Sequence, residues 1–250
     1  MKAVDKSTAA DRGKSVMDNP CRMKLKLFLA MGFYERVRPG SNDLKSFERG
    51  FKRATRKLKA HKQFISGILC RNIEDDGKYV YFNYTVFNTY EQQGRFMHND
   101  SWTDVVLASQ GQEVINHQAG YVERRVIANT LIKPLPKTPL TETTVYLIVW
   151  SQVEDGLEDK IDVENSWRIW SGMECVRRQK VCQECGLRAV TLHKRTTTNG
   201  KYNYVSRFEF TKLGGRTKLG LEVLQKLRES APTRGIKSRA ALFRPIYVYT

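Results

Sequence analysis

The sequence predicts an α+β fold made of two β-α-β-β-α-β units, the ferredoxin-like order, joined by a proline-rich linker. Three observations predict it. The stretch Gly77-Lys78-Tyr79-Val80-Tyr81 returns as Gly200-Lys201-Tyr202-Asn203-Tyr204, an offset of 123 in a chain of 250 residues. Each copy closes a polar turn ending in Asp76-Gly77 or Asn199-Gly200, the strongest short-range hairpin signal. Apolar residues alternate with period two on both sides of each turn and recur at helical spacing ahead of it.

Residues 1–22 are polar and expected to be disordered; 23–130 form the first unit, 131–142 the linker and 143–250 the second unit. In the first unit, Leu25, Leu27, Leu29, Met31 and Phe33 alternate along 24–34 and predict a strand. Pro39-Gly40-Ser41-Asn42 breaks that pattern and offers an N-cap. Leu44, Phe47, Phe51 and Leu58 then share one stripe of a helix that runs to about His61. Strands are expected over 64–72 and 78–87. On the latter, Tyr79, Tyr81, Asn83 and Thr85 share one face, and Val80, Phe82, Tyr84 and Val86 the other. Residues 88–109 are polar with short helical stretches, and 120–129 is the fourth strand, which leaves His117 in a loop. Pro134, Pro136 and Pro139 hold the linker extended.

The second unit repeats the order. A strand over 144–150 and a helix over 163–180 lead to strands over 187–195 and 201–210. A helix over 219–229 and a strand over 241–249 complete it, with Arg234, Lys237 and Arg239 in the loop between them. A gapless offset sets Leu25 against Ile148 and Leu69 against Leu192. Arg207 and Glu209 interrupt the match, because they fall on a face that is apolar in the first unit; edge pairing or a bulge would accommodate them.

Phe33-Tyr34-Glu35-Arg36-Val37, then Pro39-Gly40, the Phe47/Phe51 helix and Gly67-Ile68-Leu69-Cys70-Arg71 before an aromatic strand form a recognisable succession. In it the chain resembles the antibiotic-biosynthesis-monooxygenase-like family of dimeric α/β barrels, over 24–130 and more loosely over 144–250. The resemblance implies two units packed sheet to sheet around one barrel, here as a pseudo-dimer within a single chain. Haem-degrading members place an Asn on the first strand, a Trp at the end of the third and a His on the following helix. Here the first strands hold no Asn, the third end in Phe87 and Phe210, and His98 has no counterpart in the second half. The resemblance also implies a pocket for a small hydrophobic ligand and monooxygenase-type oxidation, cofactor-free or haem-dependent. Tyr79, Tyr81, Asn83, Trp102 and Trp150 are its candidate lining.

Composition points elsewhere. The formal charge is +17, with 43 Lys and Arg against 26 Asp and Glu. Lys45, Arg49, Lys52, Arg53, Arg56 and Lys59 recur at three- and four-residue spacing around the exposed side of the first helix. Like charges so placed repel, and phosphates would relieve them. The expectation from charge is therefore a non-catalytic binding or scaffold protein that contacts RNA or a ribonucleoprotein assembly, with other protein subunits as alternative partners. No cofactor is expected. No run of about 18 apolar residues predicts a membrane-spanning helix. Five cysteines, an odd number, suit a reducing interior, so an intracellular location is expected, cytoplasmic or in an organelle matrix such as the mitochondrial one.

Cys182-x-x-Cys185 with Cys175 and His193 offers the donor types of a zinc site. There is one knuckle only, and Cys175 falls on the preceding helix, so no metal is expected and the pair is read as a helix-ending turn with two incidental thiols.

Overall fold

Eight strands close into one antiparallel barrel, and helices lie outside it. The structure, a computed structural model, describes residues 27–37, 44–58, 65–74, 76–98, 114–128, 140–153, 162–179, 184–198, 200–231 and 236–250. The first half holds β1 (Phe28–Arg36), α1 (Leu44–Leu58), β2 (Ser66–Asn72), β3 (Tyr79–Phe87), α2 (Tyr90–Met97) and β4 (Val114–Ala128). The second holds β5 (Val145–Gln152), α3 (Trp167–Trp170), α4 (Met173–Arg177), β6 (Leu187–Arg195), β7 (Tyr204–Phe210), α5 (Thr217–Glu229) and β8 (Lys237–Tyr249). Among the described residues no helix is long and apolar enough to cross a membrane.

The order around the barrel is β1-β3-β2-β8-β5-β7-β6-β4. Grouped by half, it runs β4-β1-β3-β2 and then β8-β5-β7-β6. Each strand thus faces the strand four later across the barrel, and the halves meet at the β2–β8 and β4–β6 seams. All neighbouring pairs are antiparallel, so β1 and β5 run the same way. One mouth of the barrel therefore collects the ends of β1, β2, β5 and β6 and the starts of β3, β4, β7 and β8.

Alternation sends every second side chain inward. Leu29, Met31, Phe33, Ile68, Cys70, Tyr79, Phe82, Tyr84, Tyr121, Tyr146, Ile148, Trp150 and Phe243 pack together in the interior. The outward residues are buried too, under the helices. Phe47 and Phe51 of α1 cover Tyr34, Leu69 and Tyr81. Trp167, Trp170, Met173, Val223, Leu224 and Leu227 cover Val145, Leu147, Val149 and Phe208. Strands buried on both faces read as nearly continuous apolar runs, as β5 does.

The structure departs from expectation in four places. The predicted helix over 163–180 is two short helices, because Gly172 takes a left-handed φ of 79°. Its N–H reaches back to the Ile169 carbonyl at 3.1 Å, a helix-ending arrangement that suits glycine. The fourth strand begins at Val114, so His117 lies on β4 and not in a loop. The last strand begins at Lys237, so Lys237 and Arg239 also stand on a strand; Arg234 lies outside the described residues. The gapless offset holds for β2 and β6 but not for β1 and β5. Ile148 lies opposite Arg207, whereas Tyr84, the residue 123 before Arg207, lies opposite Met31 and not Leu25. Residues 131–139 of the linker and the N-terminal segment fall outside the described residues.

Candidate functional site

The mouth defined above holds an open cavity of about 1050 Å³. Its floor is aromatic: Tyr79 at the start of β3, Trp150 near the end of β5, and Tyr202 just ahead of β7. The two tyrosine hydroxyls meet at 2.8 Å across the barrel. The Trp150 ring lies 5.1 Å from that of Tyr79 and 6.3 Å from that of Tyr202. Phe33 backs the group, edge-on to Trp150 at 5.2 Å. Trp150 Nε1 is buried and finds no acceptor among the described residues.

Local chemistry explains the placement. A bulge where Tyr34 and Glu35 of β1 face Tyr81 and Tyr79 inserts Val80 as an extra residue. It turns Tyr79 inward beside Phe82 and Tyr84 and leaves Val80 and Tyr81 outward. Burial and the hydrogen bond shared with Tyr202 push the Tyr79 hydroxyl far above the usual phenol range, so it acts only as a neutral hydrogen-bonding group. Glu35 sits behind Tyr79 and is held by Lys78 Nζ and His117 Nε2, each at 2.9 Å. Burial pushes its carboxyl up, but those two donors outweigh burial and hold it below the usual range. The His117 ring stands edge-on to Tyr79 at 5.9 Å.

The rim is polar. Lys78, Lys201, Arg228, Lys237 and Arg239 line it, with Glu74, Asp76 and Gln152 between them. Arg228 grips Glu74 through both guanidinium nitrogens at 2.8 Å, a pair that joins α5 to the β2–β3 turn. Arg239 lies directly across from Trp150 on the neighbouring strand, so both side chains share the mouth-facing side.

A second polar group lies deeper. The Arg207 guanidinium rests on the Tyr84 ring at 4.6 Å and near Tyr146 at 5.5 Å. Arg207 and Glu209 face the interior, and the expected bulge is present on the neighbouring strand: Arg188 is an extra residue between Leu187 and Ala189 opposite Phe210 and Glu209, and it pairs with Glu209. His193 Nε2 meets the Tyr84 hydroxyl at 3.3 Å, and its Nδ1 faces the Val205 carbonyl at 3.1 Å. Burial and the Arg207 charge lower its pKa to about 3, so it stays neutral.

Of the candidate pocket residues, the structure brings Tyr79 and Trp150 together. Tyr81 and Asn83 are corrected to the outer face, because the bulge reverses the alternation. Tyr81 stacks on Phe47 at 4.6 Å and donates to Glu48 at 2.8 Å, while Asn83 accepts from Tyr249 at 2.6 Å. Trp102 lies outside the described residues. Tyr202 belongs to the candidate site beside Tyr79, its counterpart in the repeated Gly-Lys-Tyr stretch, and that repeat is the sequence signal for it. Glu35, His117 and Arg239 carry no comparable signal.

The zinc candidates do not assemble. His193 points into the barrel and Cys185 packs on the outer layer, with Cys175 against that layer; Cys182 lies outside the described residues. No cluster of three metal-ligating side chains occurs among the described residues. Haem does not fit them either. Among the described residues no histidine, cysteine or methionine lines the cavity. His193 has both ring nitrogens engaged, His117 gives Nε2 to Glu35, and His98 is exposed at the end of α2.

Residues 64–231 match the model of a family described as a domain of unknown function (DUF7153). No curated protein matches the chain. Several solved structures share its fold. A Fusobacterium nucleatum protein provisionally described as a monooxygenase is 13% identical, with a TM-score of 0.54, over 91% of this chain and 96% of its own. An anthrone oxidase-like protein is 10% identical, with a TM-score of 0.53, over 89% and 92%. A protein provisionally described as a chlorite dismutase is 13% identical, with a TM-score of 0.52, over 89% and 95%. The fold is thus that of the dimeric α/β barrels.

These likenesses overturn the expectation of an RNA-binding scaffold, since they run to enzyme-like barrels and none points to RNA. The physical reason lies on α1. Lys45, Arg49, Arg53 and Arg56 are exposed and solvated, and Lys52 folds over the Tyr247 ring at 5.5 Å. Lys59 lies outside the described residues. Water relieves the repulsion among such exposed charges without any counter-anion.

Proposed function

The chain belongs to this family of unknown function, and we propose that it is a cofactor-free, monooxygenase-type oxidoreductase that oxidises a small aromatic compound at the barrel mouth. One observation carries the proposal: the cavity of about 1050 Å³ floored by Tyr79, Tyr202 and Trp150. Its size lies at the upper end of the range of small-molecule pockets, with room for a polycyclic ligand. The likeness to an anthrone oxidase-like protein supports an activated methylene between aromatic rings as the reacting group. The architecture behind the mouth is two ferredoxin-like units fused as an internal pseudo-dimer; the matching strand order of the two halves supports this.

The chemistry balances without an external reductant. The methylene loses a proton to water at the open mouth, helped by the cationic rim, and the resulting carbanion is delocalised into the rings. It transfers electrons to dioxygen and forms a C–O bond. The peroxide takes up a proton and then loses water, so R₂CH₂ + O₂ gives R₂C=O + H₂O. Burial keeps Tyr79 protonated, and the one O–H not used within the Tyr79–Tyr202 pair supplies a hydrogen bond to the oxygen that leaves. Trp150, itself almost wholly buried, completes the aromatic floor.

Oxygen uptake with anthrone tests this. The expected result is one dioxygen consumed per ketone formed, with kcat reduced roughly 100-fold in Tyr79→Phe/Tyr202→Phe, the scale of a lost donor at a developing anion. No uptake with anthrone or related polycyclic methylenes, or uptake unaffected by that double substitution, contradicts the assignment.

A further inference from the structure

The two halves build the mouth from matched strand positions, but among the described residues the second half has no carboxylate at the position that Glu35 takes in the first. Phe33 lies opposite Phe82 on β3, and Trp150 lies opposite Val205 on β7, the residue 123 after Phe82. Two residues further along the same strands stand Glu35 and Gln152. On the neighbouring strands, His117 lies opposite Phe33 and Arg239 opposite Trp150. The turns contribute Lys78 and Lys201.

The first half is neutralised from within: Glu35 binds both Lys78 and His117. The second half sets Gln152, Arg239 and Lys201 in the corresponding places. No carboxylate pairs with Lys201 or Arg239 among the described residues, and all three side chains are exposed on the cavity lining. Lys201 lies over the Tyr202 ring at 5.9 Å, and the Arg239 charge is felt at Tyr79. Two cations therefore stand at the edge of an aromatic floor, where the other half has an acid.

We propose that the ligand supplies the missing acid: an aromatic carboxylate whose rings lie on Trp150 and Tyr202 and whose carboxylate binds Lys201 and Arg239, with Gln152 as a further donor. This rests on the barrel mouth being the substrate site. A guanidinium and an ammonium offer charge-assisted hydrogen bonds, which exceed neutral ones in strength.

Calorimetric titration with naphthalene-2-carboxylate and its neutral isostere 2-naphthamide at low salt separates the two ideas. The acid is expected to bind at least about tenfold tighter, the scale of one charge-assisted hydrogen bond. Lys201→Gln/Arg239→Gln should bring the acid down to the level of the amide. Gln152→Glu should do the same by restoring the internal acid, and as an exposed single substitution it leaves the fold intact. Equal binding of acid and amide by the unaltered protein overturns the carboxylate proposal and leaves the aromatic site standing. Acid preference that survives Gln152→Glu places the anion elsewhere and also overturns it. Binding of neither compound overturns both.

Discussion

At the residue scale, polar groups inside the barrel decide most of the chemistry. Tyr79 and Tyr202 satisfy each other, so two buried hydroxyls cost little, and one O–H of the pair remains available as a donor. Glu123 is different. It is 8% exposed, and burial pushes its carboxyl up to about 7 against the opposing pull of Arg207. The unfolded chain ionises this group near its ordinary value of 4.5, so the folded chain holds the extra proton between those pH values. Stability from this group is full below about 4.5 and is lost as pH rises through about 7, by at most about 3 kcal/mol. Urea unfolding of Glu123→Gln should accordingly show a flatter pH dependence between pH 5 and 8, with greater stability than the parent at pH 8. An unchanged slope would mean that Glu123 is solvated in the folded chain.

At the element scale, the barrel closes where β2 meets β8. Tyr249 of β8 lies across Gly67, its hydroxyl donating to Asn83 and meeting Thr85 at 2.7 Å. A Cβ on Gly67 would overlap the Tyr249 ring. Gly67→Ala is expected to destabilise the fold by about 1–3 kcal/mol, as overpacking does, read as a lower urea midpoint. No change in the midpoint would show that β8 can slide at this seam. The elements also show what a sequence can and cannot reveal. Alternation and the two Gly-Lys-Tyr turns located most strands within a few residues, and β6 in full. The Val80 bulge left no trace, because one extra residue in an aromatic run looks like more strand; Tyr81 and Asn83 were misdirected for that reason. Ser171-Gly172 carried a helix stop that the Trp167/Trp170/Met173 stripe outweighed. Lys237 and Arg239 read as loop because strand residues at a solvent-filled mouth need not be apolar.

At the scale of the whole molecule, the two halves of the barrel share a strand order but differ at its mouth. Here Glu35 on one side and Gln152 on the other make one edge of the cavity neutral and the other cationic, with shared aromatic rings between them. That difference becomes visible only through strand pairing, since the offset that aligns β2 with β6 misaligns β1 with β5. The net charge of +17 pointed to the helix surface instead, where exposed cations are simply hydrated. The most direct test is a crystal structure of the protein with naphthalene-2-carboxylate. The rings should lie against Trp150 and Tyr202, with the carboxylate within hydrogen-bonding distance of Arg239 and Lys201. Density for the compound elsewhere, with the mouth empty at saturating concentration, would contradict the assignment of the barrel mouth as the functional site.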